Sequence, residues 1–255
     1  MANEILKVED IAVSYTQGSN EMKVIDGISF QVSEWEFFSI VGPSGCGKST
    51  LVRIIAGLQE PTSGKIVYKG KEITGPTGDI SMIFQNFALF PWRTAIENVA
   101  LAIENRGLSR KEVMRKSMAA LGEVNLKGFE SAYPAELSGG MKQRVGVARA
   151  IVSDPDLLLM DEPFSSLDDL TAEQLRAEVH RLVKNKRLPV KAVVMVSHNV
   201  EETVELSDRI MVLSKPPSKI IDIVDVKLAY PRSRGSRGFR DITTRIYKDL
   251  YAAEI

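Results

Sequence analysis

The sequence predicts an α/β fold with a parallel β-sheet core, an N-terminal antiparallel β layer and an inserted α-helical region. Apolar runs at 37–41, 157–160 and 192–196 have the continuous hydrophobicity that is typical of buried parallel strands. Shorter alternating strands precede the first of these runs. Residues 95–129 instead show apolar side chains at helical spacing, with no strand signal between them.

Composition places the chain among ordinary globular proteins. Its 255 residues are 44% hydrophobic and 26% charged, with a formal net charge of zero. This balance argues against a nucleic-acid binder that relies on a basic surface. No apolar run approaches the about 20 residues of a spanning helix, and no secretory signal pattern is present, so a cytoplasmic protein is expected. A single cysteine excludes an internal disulfide framework.

The antiparallel layer is predicted from two strands, at about 5–15 and 24–32. Tyr15, at the end of the first strand, could stack its ring on an adenine. The alternative is an ordinary strand aromatic, because aromatic residues are frequent in strands.

The strongest functional signal is the glycine-rich segment between the run 37–41 and a predicted helix. The segment consists of Gly42, Pro43, Ser44, Gly45, Cys46, Gly47, Lys48, Ser49 and Thr50. Glycines let backbone N–H groups approach a polyphosphate, and the helix start adds its positive dipole end. We therefore expect Lys48 to contact the β- and γ-phosphates and Ser49 to ligate Mg²⁺. The helix N-terminus also predicts a thiolate at Cys46.

Polar residues follow two of the buried runs. Asp161 and Glu162 end the run 157–160, and His198 follows the run 192–196. Ligands of parallel α/β sheets collect at the carboxyl ends of strands. We predict that Asp161 holds Mg²⁺, that Glu162 accepts a proton from an attacking water and that His198 contacts phosphate. The alternatives are two solvated loop acids and a structural histidine.

For two further segments, physical arguments alone do not decide between a functional and a structural role. Gln85 follows the short apolar strand 80–84 and would usually be a polar loop residue. Ser138 is a fair N-cap, and Gly139 and Gly140 leave N–H groups accessible at the helix start. A capped helix with a flexible entry and a second anion-binding helix end both fit this pattern.

Taken together, these motifs resemble the ATP-binding cassette (ABC) family of transport ATPases over essentially the whole chain. The matching features, in the family's order and approximate spacing, are the loop 42–50, Gln85, 137–140, 161–162, 166–168 and His198. The resemblance implies a P-loop NTPase (RecA-like) fold and ATP hydrolysis. ATP and Mg²⁺ are the implied cofactors.

The resemblance also implies roles for individual residues. Tyr15 would stack on the adenine, and His198 would be the switch histidine that acts with Lys48 and Glu162 in hydrolysis. Gln85 would contact Mg²⁺ or the attacking water while sensing a membrane partner. The segment Ser138, Gly139 and Gly140 would close on the γ-phosphate of a second subunit's ATP, and Asp168 would cross that dimer interface.

The implied organisation is a single ABC ATPase domain over residues 1–255. Residues 1–85 and 154–229 would form the β layer and catalytic core, and 86–153 the helical signature subdomain. The tail 230–255 is basic and then amphipathic, and we expect it to pack back on the domain. A membrane-surface or permease contact is the alternative for this tail.

Finer features resemble one group of importers. Residues 87–92, 141–145 and 230–234 are similar to importers of nitrate, sulfonate, taurine and bicarbonate. Related importers of thiamine precursors or other small organic solutes share them. The implied assembly is a homodimer, or a heterodimer with a similar cassette, under two membrane permease subunits at the cytoplasmic face of the membrane. A periplasmic or extracellular solute-binding protein would be an indirect partner, and nucleic acid would not be one.

Two rival functions would need other sequence features. A soluble cassette protein of DNA repair or translation would carry coiled-coil insertions or a second cassette, and this sequence has neither. A small-molecule kinase would have no use for 138–140. The sequence departs from the family pattern at Met141, where Gln is commonest, and at Asn199, where an acidic residue is usual. At 34–36 it has Glu-Trp-Glu instead of Gly-Glu, so we expect an unusual turn there.

Overall fold

The structure is a computed structural model that describes residues 3–17, 20–184 and 189–252. The chain divides into two compact units, one of Met1–Thr77 with Lys191–Ile255 and one of Gly78–Val190. The predicted subdivision at residues 85, 153 and 229 stays a prediction.

The helices and strands have the following bounds. In chain order they are β1 (Glu4–Gln17), β2 (Asn20–Ser33), β3 (Phe37–Val41), α1 (Lys48–Ile55), β4 (Ser63–Tyr68), β5 (Lys71–Glu72), β6 (Ile80–Ile83), α2 (Ala95–Ala100), α3 (Arg110–Glu123), a 3-10 turn (Pro134–Glu136), α4 (Gly139–Ile151), β7 (Leu157–Asp161), α5 (Asp169–Lys184), β8 (Ala192–Val196), α6 (Val200–Leu206), β9 (Arg209–Leu213), β10 (Ile220–Asp225) and α7 (Arg237–Ala252).

The first unit contains the antiparallel layer, with strand order β2-β1-β4-β5. Strands β1 and β2 form a long hairpin that pairs Glu4 with Ser33 at one end and Gln17 with Asn20 at the other. Both strands extend beyond the predicted limits, because a backbone ladder can continue through polar residues that give no hydrophobic signal. The register shifts between Val8 and Ile11.

The same unit contains the parallel strands that lead to the phosphate loop. Strand β3 pairs in parallel with β8 on one side and with β9 on the other, and β10 pairs antiparallel with β9. Every residue of β3 and β8 is buried, as the continuous apolar runs predict. The turn before β3 is unusual, as expected, because Trp35 adopts a left-handed φ of 67°.

The second unit pairs β6 with β7 in parallel, and its helices are α2, α3, α4 and α5. Capping boxes begin two of these helices: Thr94 with Glu97 at α2, and Ser109 with Glu112 at α3. The predicted helical stretch 95–129 is therefore two helices with a break between them. The predicted α/β fold, with parallel strands and an N-terminal antiparallel layer, is confirmed.

The described part of the tail packs back on the first unit. Phe239 and Ile246 of α7 are buried in one apolar cluster with Val204, Ile210 and Val224. This confirms the expected packing for the described part of the tail, residues 230–252. Residues 253–255 lie outside the described residues. The predicted end of α5 at residue 186 also lies outside them. Across the described chain, no helix is both long and apolar enough to cross a lipid bilayer.

Candidate functional site

The phosphate loop of the first unit is built around the Lys48 side chain. Its Nζ donates hydrogen bonds to the carbonyl oxygens of Gly42, at 2.8 Å, and Pro43, at 2.9 Å. Lys48 is only 6% exposed. The ammonium is therefore held inside the curve of the loop, an arrangement that fits a polyphosphate bound by backbone N–H groups.

The helix that follows the loop presents its first N–H groups without a side-chain cap. Gly47 occupies the N-cap position of α1 with a φ of 92°, and the cap forms no side-chain hydrogen bond. A Cβ at Gly47 would lie 2.8 Å from Cγ1 of Ile25, so the position also requires glycine for space. An uncapped helix start beside a buried lysine fits the triphosphate of ATP.

Cys46 corrects one expectation. The thiol is fully buried, and burial raises its pKa above the ordinary value even though Lys48 is close. The predicted thiolate is wrong, because desolvation of the charged form outweighs the neighbouring ammonium and the hydrogen bonds that favour this form. A Cβ at Gly42 would meet the Cys46 sulfur at 2.8 Å, so the thiol fills space beneath the loop.

Tyr15 is tethered to the phosphate-loop helix. Its hydroxyl lies 3.3 Å from Oγ1 of Thr50 and accepts a hydrogen bond of 3.1 Å from Nε2 of Gln59. The contact with Thr50 lowers the pKa of the phenol. The residue is 43% exposed. A ring that is accessible and fixed at its hydroxyl end suits stacking on a base.

His198 lies in the first unit, exposed at the carboxyl end of β8. Its neighbours fix the backbone on either side. Asn199 caps α6 by accepting from the N–H of Glu202 at 3.2 Å, and the Ser197 hydroxyl donates to Glu202 at 3.0 Å. Asn199, which departs from the family pattern, therefore serves as a helix cap.

The second unit presents Asp161 and Glu162 at the carboxyl end of β7. Asp161 is 4% exposed, whereas Glu162 is half-buried. Glu162 adopts a left-handed φ of 46°, which is uncommon for a residue with a side chain. The Ser165 hydroxyl donates to the Glu162 carbonyl at 3.0 Å and stabilises this turn. Strained backbone of this kind clusters at functional positions.

Gln85 contacts Glu162 directly. Its Nε2 lies 3.1 Å from Oε2 of Glu162 and 3.5 Å from Oγ of Ser165. Both residues follow the parallel strands β6 and β7, so their side chains leave the same sheet edge. The sequence placed Gln85 after a strand, and the structure gives it a carboxylate partner.

Ser138 caps α4, where its Oγ accepts from the N–H of Met141 at 3.3 Å. Ser138 and Gly139 are exposed, whereas Gly140 is buried with the position of its missing Cβ only 2.4 Å from Cγ2 of Thr171. Asp168 is also exposed. Its Oδ1 accepts from the N–H of Thr171 at 3.0 Å, and this bond lowers the pKa of the carboxyl.

The predicted site residues thus fall into two sets, each described within its own unit. The first unit holds Tyr15, the loop 42–50 and His198, and the second holds Gln85, 138–140, Asp161, Glu162 and Asp168. In the described residues, no group of three or more His, Cys, Asp or Glu side chains could hold a metal ion. Mg²⁺ binding by Ser49, Gln85 and Asp161 stays a prediction.

Three polar residues with structural contacts at these sites were missed by the sequence reasoning. They are Gln59, which bonds Tyr15, and Gln143 and Arg149, which bond backbone carbonyls beside Glu162 and Gln85. The only available signal was the position of Gln143 and Arg149 among small and apolar residues of the α4 segment.

The chain is similar to known proteins over most of its length. The ABC transporter family model matches residues 25–165. An uncharacterized ABC transporter ATP-binding protein of Methanocaldococcus jannaschii is 43% identical over 96% of this chain and 91% of its own. The aliphatic sulfonates import ATP-binding protein SsuB of Bacillus cereus is 38% identical over 96% of this chain and 95% of its own.

A third relative is longer. The bicarbonate transport ATP-binding protein CmpC of Synechococcus elongatus is 43% identical over 89% of this chain, which covers 34% of that protein. Among solved structures, the dimeric ATP-binding cassette MJ0796 bound to ADP and Pi is 30% identical, with a TM-score of 0.78 over 88% of this chain and all of that one. A second dimeric structure of the same cassette gives the same TM-score at 28% identity.

Proposed function

Because this chain belongs to the ABC transporter family and is an ATPase of the importer group, we propose that it energises uptake of a small solute through separate membrane permease subunits. The observation that carries the catalytic part is the hydrogen bond between Gln85 and Glu162. It orients a carboxylate at a strand end, which a general base for water requires.

Each predicted site residue has a separate role in hydrolysis. The N–H groups of the loop 42–50 and the Lys48 ammonium bind the phosphates and stabilise the charge that develops on the γ-phosphate. Glu162 accepts a proton from the attacking water, and His198 contacts the γ-phosphate. Ser49, Gln85 and Asp161 would hold Mg²⁺, which when bound neutralises charge on the phosphate oxygens.

The nucleotide is shared between two copies of the chain in this proposal. Ser138 and Gly139 are exposed, and α4 begins immediately after Ser138. They would bind the γ-phosphate of the partner's ATP together with Gly140, and Asp168 would lie at the interface. The dimeric state of the similar cassette structures supports this arrangement. A heterodimer with a related cassette is the variant assembly.

Mixing two inactive variants tests the shared site. Lys48→Ala removes the phosphate ammonium and Ser138→Ala removes the cap of α4, so each variant alone should hydrolyse ATP slowly. In the mixed dimers that form from an equal mixture, one of the two sites keeps both Lys48 and Ser138. Hydrolysis should therefore recover in these dimers. No recovery, with mixed dimers demonstrated by mass spectrometry, would contradict a site built from two chains.

The solute is proposed to be a small anion or organic acid of the nitrate, sulfonate, taurine or bicarbonate kind. The relatives named for aliphatic sulfonates and for bicarbonate support this class, as does the segment 87–92. The protein would act at the cytoplasmic face of the membrane, peripherally. Affinity capture from membranes should recover permease subunits, and cells lacking the chain should lose uptake of one labelled member. Capture of nucleic acid and unchanged uptake of all four would contradict the proposal.

A further inference from the structure

Helix α4 contacts the backbone beside Glu162 through a buried glutamine. Gln143 is fully buried, and its Nε2 donates a hydrogen bond of 2.6 Å to the carbonyl oxygen of Pro163. Pro163 directly follows Glu162, whose backbone is in the left-handed region. A buried bond to the next residue limits how far the Glu162 turn can relax.

The same helix contacts the loop after Gln85 through an arginine. The two terminal nitrogens of Arg149 donate to the carbonyl oxygens of Ala88, at 2.5 Å, and Phe87, at 2.9 Å. Burial lowers the pKa of this guanidinium, so its position carries a desolvation cost that the two charge-assisted bonds offset.

The loop that Arg149 binds has an unfavourable conformation. Phe87 and Ala88 have φ values of 53° and 47°, although neither is glycine. Left-handed backbone costs about 1–2 kcal/mol per residue with a Cβ, so a loop with two such residues in a row needs external bonds to persist. Arg149 supplies two of these bonds at consecutive carbonyls.

We propose that Gln143 and Arg149 are positioning residues. They keep Nε2 of Gln85 within hydrogen-bond distance of Oε2 of Glu162, at 3.1 Å. Both contacts come from one helix, so they hold the two loops in register with each other. The inference rests on the proposed function, which gives Gln85 and Glu162 their roles in hydrolysis.

The test compares Arg149→Ala with Arg144→Ala. Arg144 lies on the same helix and donates a hydrogen bond of 3.1 Å to Glu178 of α5, which belongs to neither loop, so it is a matched control. Arg149→Ala should lower kcat on the order of 10- to 100-fold, because a small displacement of a reacting group is enough for such a loss. Affinity for ATP should not change, and Arg149→Lys should restore part of kcat. Equal losses in the two alanine variants would overturn the proposal.

Gln143→Met keeps the side-chain volume and removes the donor. It should lower kcat without changing ATP affinity, and hydrogen exchange should rise in residues 162–166. In Arg149→Ala, exchange should instead rise in residues 85–90. If Gln143→Met fails to fold, Gln143→Leu also removes the donor and gives the same readouts. If Arg149→Ala fails to fold, Arg149→Lys should show a smaller loss of kcat and a smaller rise of exchange in residues 85–90. Unchanged exchange in both segments would overturn the proposal whatever the rates.

A double-mutant cycle separates this inference from the proposed function. Arg149 acts through the loop that carries Gln85, so Arg149→Ala should have no further effect on kcat in a Gln85→Ala background. Losses that multiply would overturn the positioning role. Normal turnover in Gln85→Ala, together with raised exchange of residues 85–90 in Arg149→Ala, would overturn the catalytic role of Gln85 and leave the positioning of its loop standing.

Discussion

The side-chain nitrogen of Gln85 lies 3.1 Å from a carboxylate oxygen of Glu162, which joins the ends of two parallel strands. Ile83 of β6 is in register with Met160 of β7. The side chains of Gln85 and Glu162, two residues further along each strand, therefore emerge at the same end of this strand pair. An amide donor on one oxygen fixes the plane of the carboxylate. This is what a base needs if it is to accept a proton from one particular water.

The start of α4 should tolerate a methyl group at one glycine and not at the next. A Cβ at Gly140 would lie 2.4 Å from Cγ2 of Thr171, whereas a Cβ at Gly139 meets nothing nearer than Leu167 at 3.7 Å. Gly140→Ala should therefore lower stability by about 1–3 kcal/mol in urea denaturation. Gly139→Ala should not, and adding Thr171→Ser to Gly140→Ala should restore most of the loss. Similar midpoints for both alanine variants would contradict the packing.

Arg232 should stabilise the first unit strongly through the end of α6. Its Nη1 donates to the carbonyl oxygens of Val204, at 2.9 Å, and Ser207, at 2.5 Å, at the negative end of that helix. Arg232→Ala leaves these carbonyls without the donor and should cost about 2–3 kcal/mol. Arg234, which is 51% exposed and paired with Glu205, is the control. Arg234→Ala should lower the free energy of unfolding by less than about 1 kcal/mol. A loss equal to that of Arg232→Ala would argue against Arg232 as the cap of α6.

Cys46 should resist alkylation in the native protein. The thiol is buried and its pKa is raised, so at neutral pH it is protonated, and the thiolate that attacks a maleimide is scarce. Labelling should be slow in buffer and fast in urea. Because this is the chain's only cysteine, the labelled mass reports on it alone. Labelling of the native protein as fast as that of the unfolded chain would contradict the buried thiol.

The fold and most candidate residues could be predicted because their signals are local. The run 37–41 followed by the glycine-rich loop predicts strand, turn and helix from neighbouring residues alone, and the helix caps at Ser109 and Ser138 are also local. Strand ends then indicate where Glu162 and His198 stand.

The remaining features depend on contacts between distant residues. Gln85 and Glu162 are 77 positions apart, and Arg149 and Ala88 are 61 apart. No periodicity links such pairs. The error at Cys46 has the same origin, because the helix start can be predicted from the sequence, whereas the burial that raises the pKa of the thiol depends on packing.

The most direct test of the account is ATP turnover and nucleotide binding in Glu162→Gln. The amide has the shape of the carboxylate and cannot serve as its base, so kcat should fall on the order of 10²- to 10⁴-fold. ATP should still bind and should accumulate in a dimer visible by light scattering, and Glu60→Gln, at an exposed glutamate, should behave as wild type. Normal turnover in Glu162→Gln would contradict the central role given to this residue.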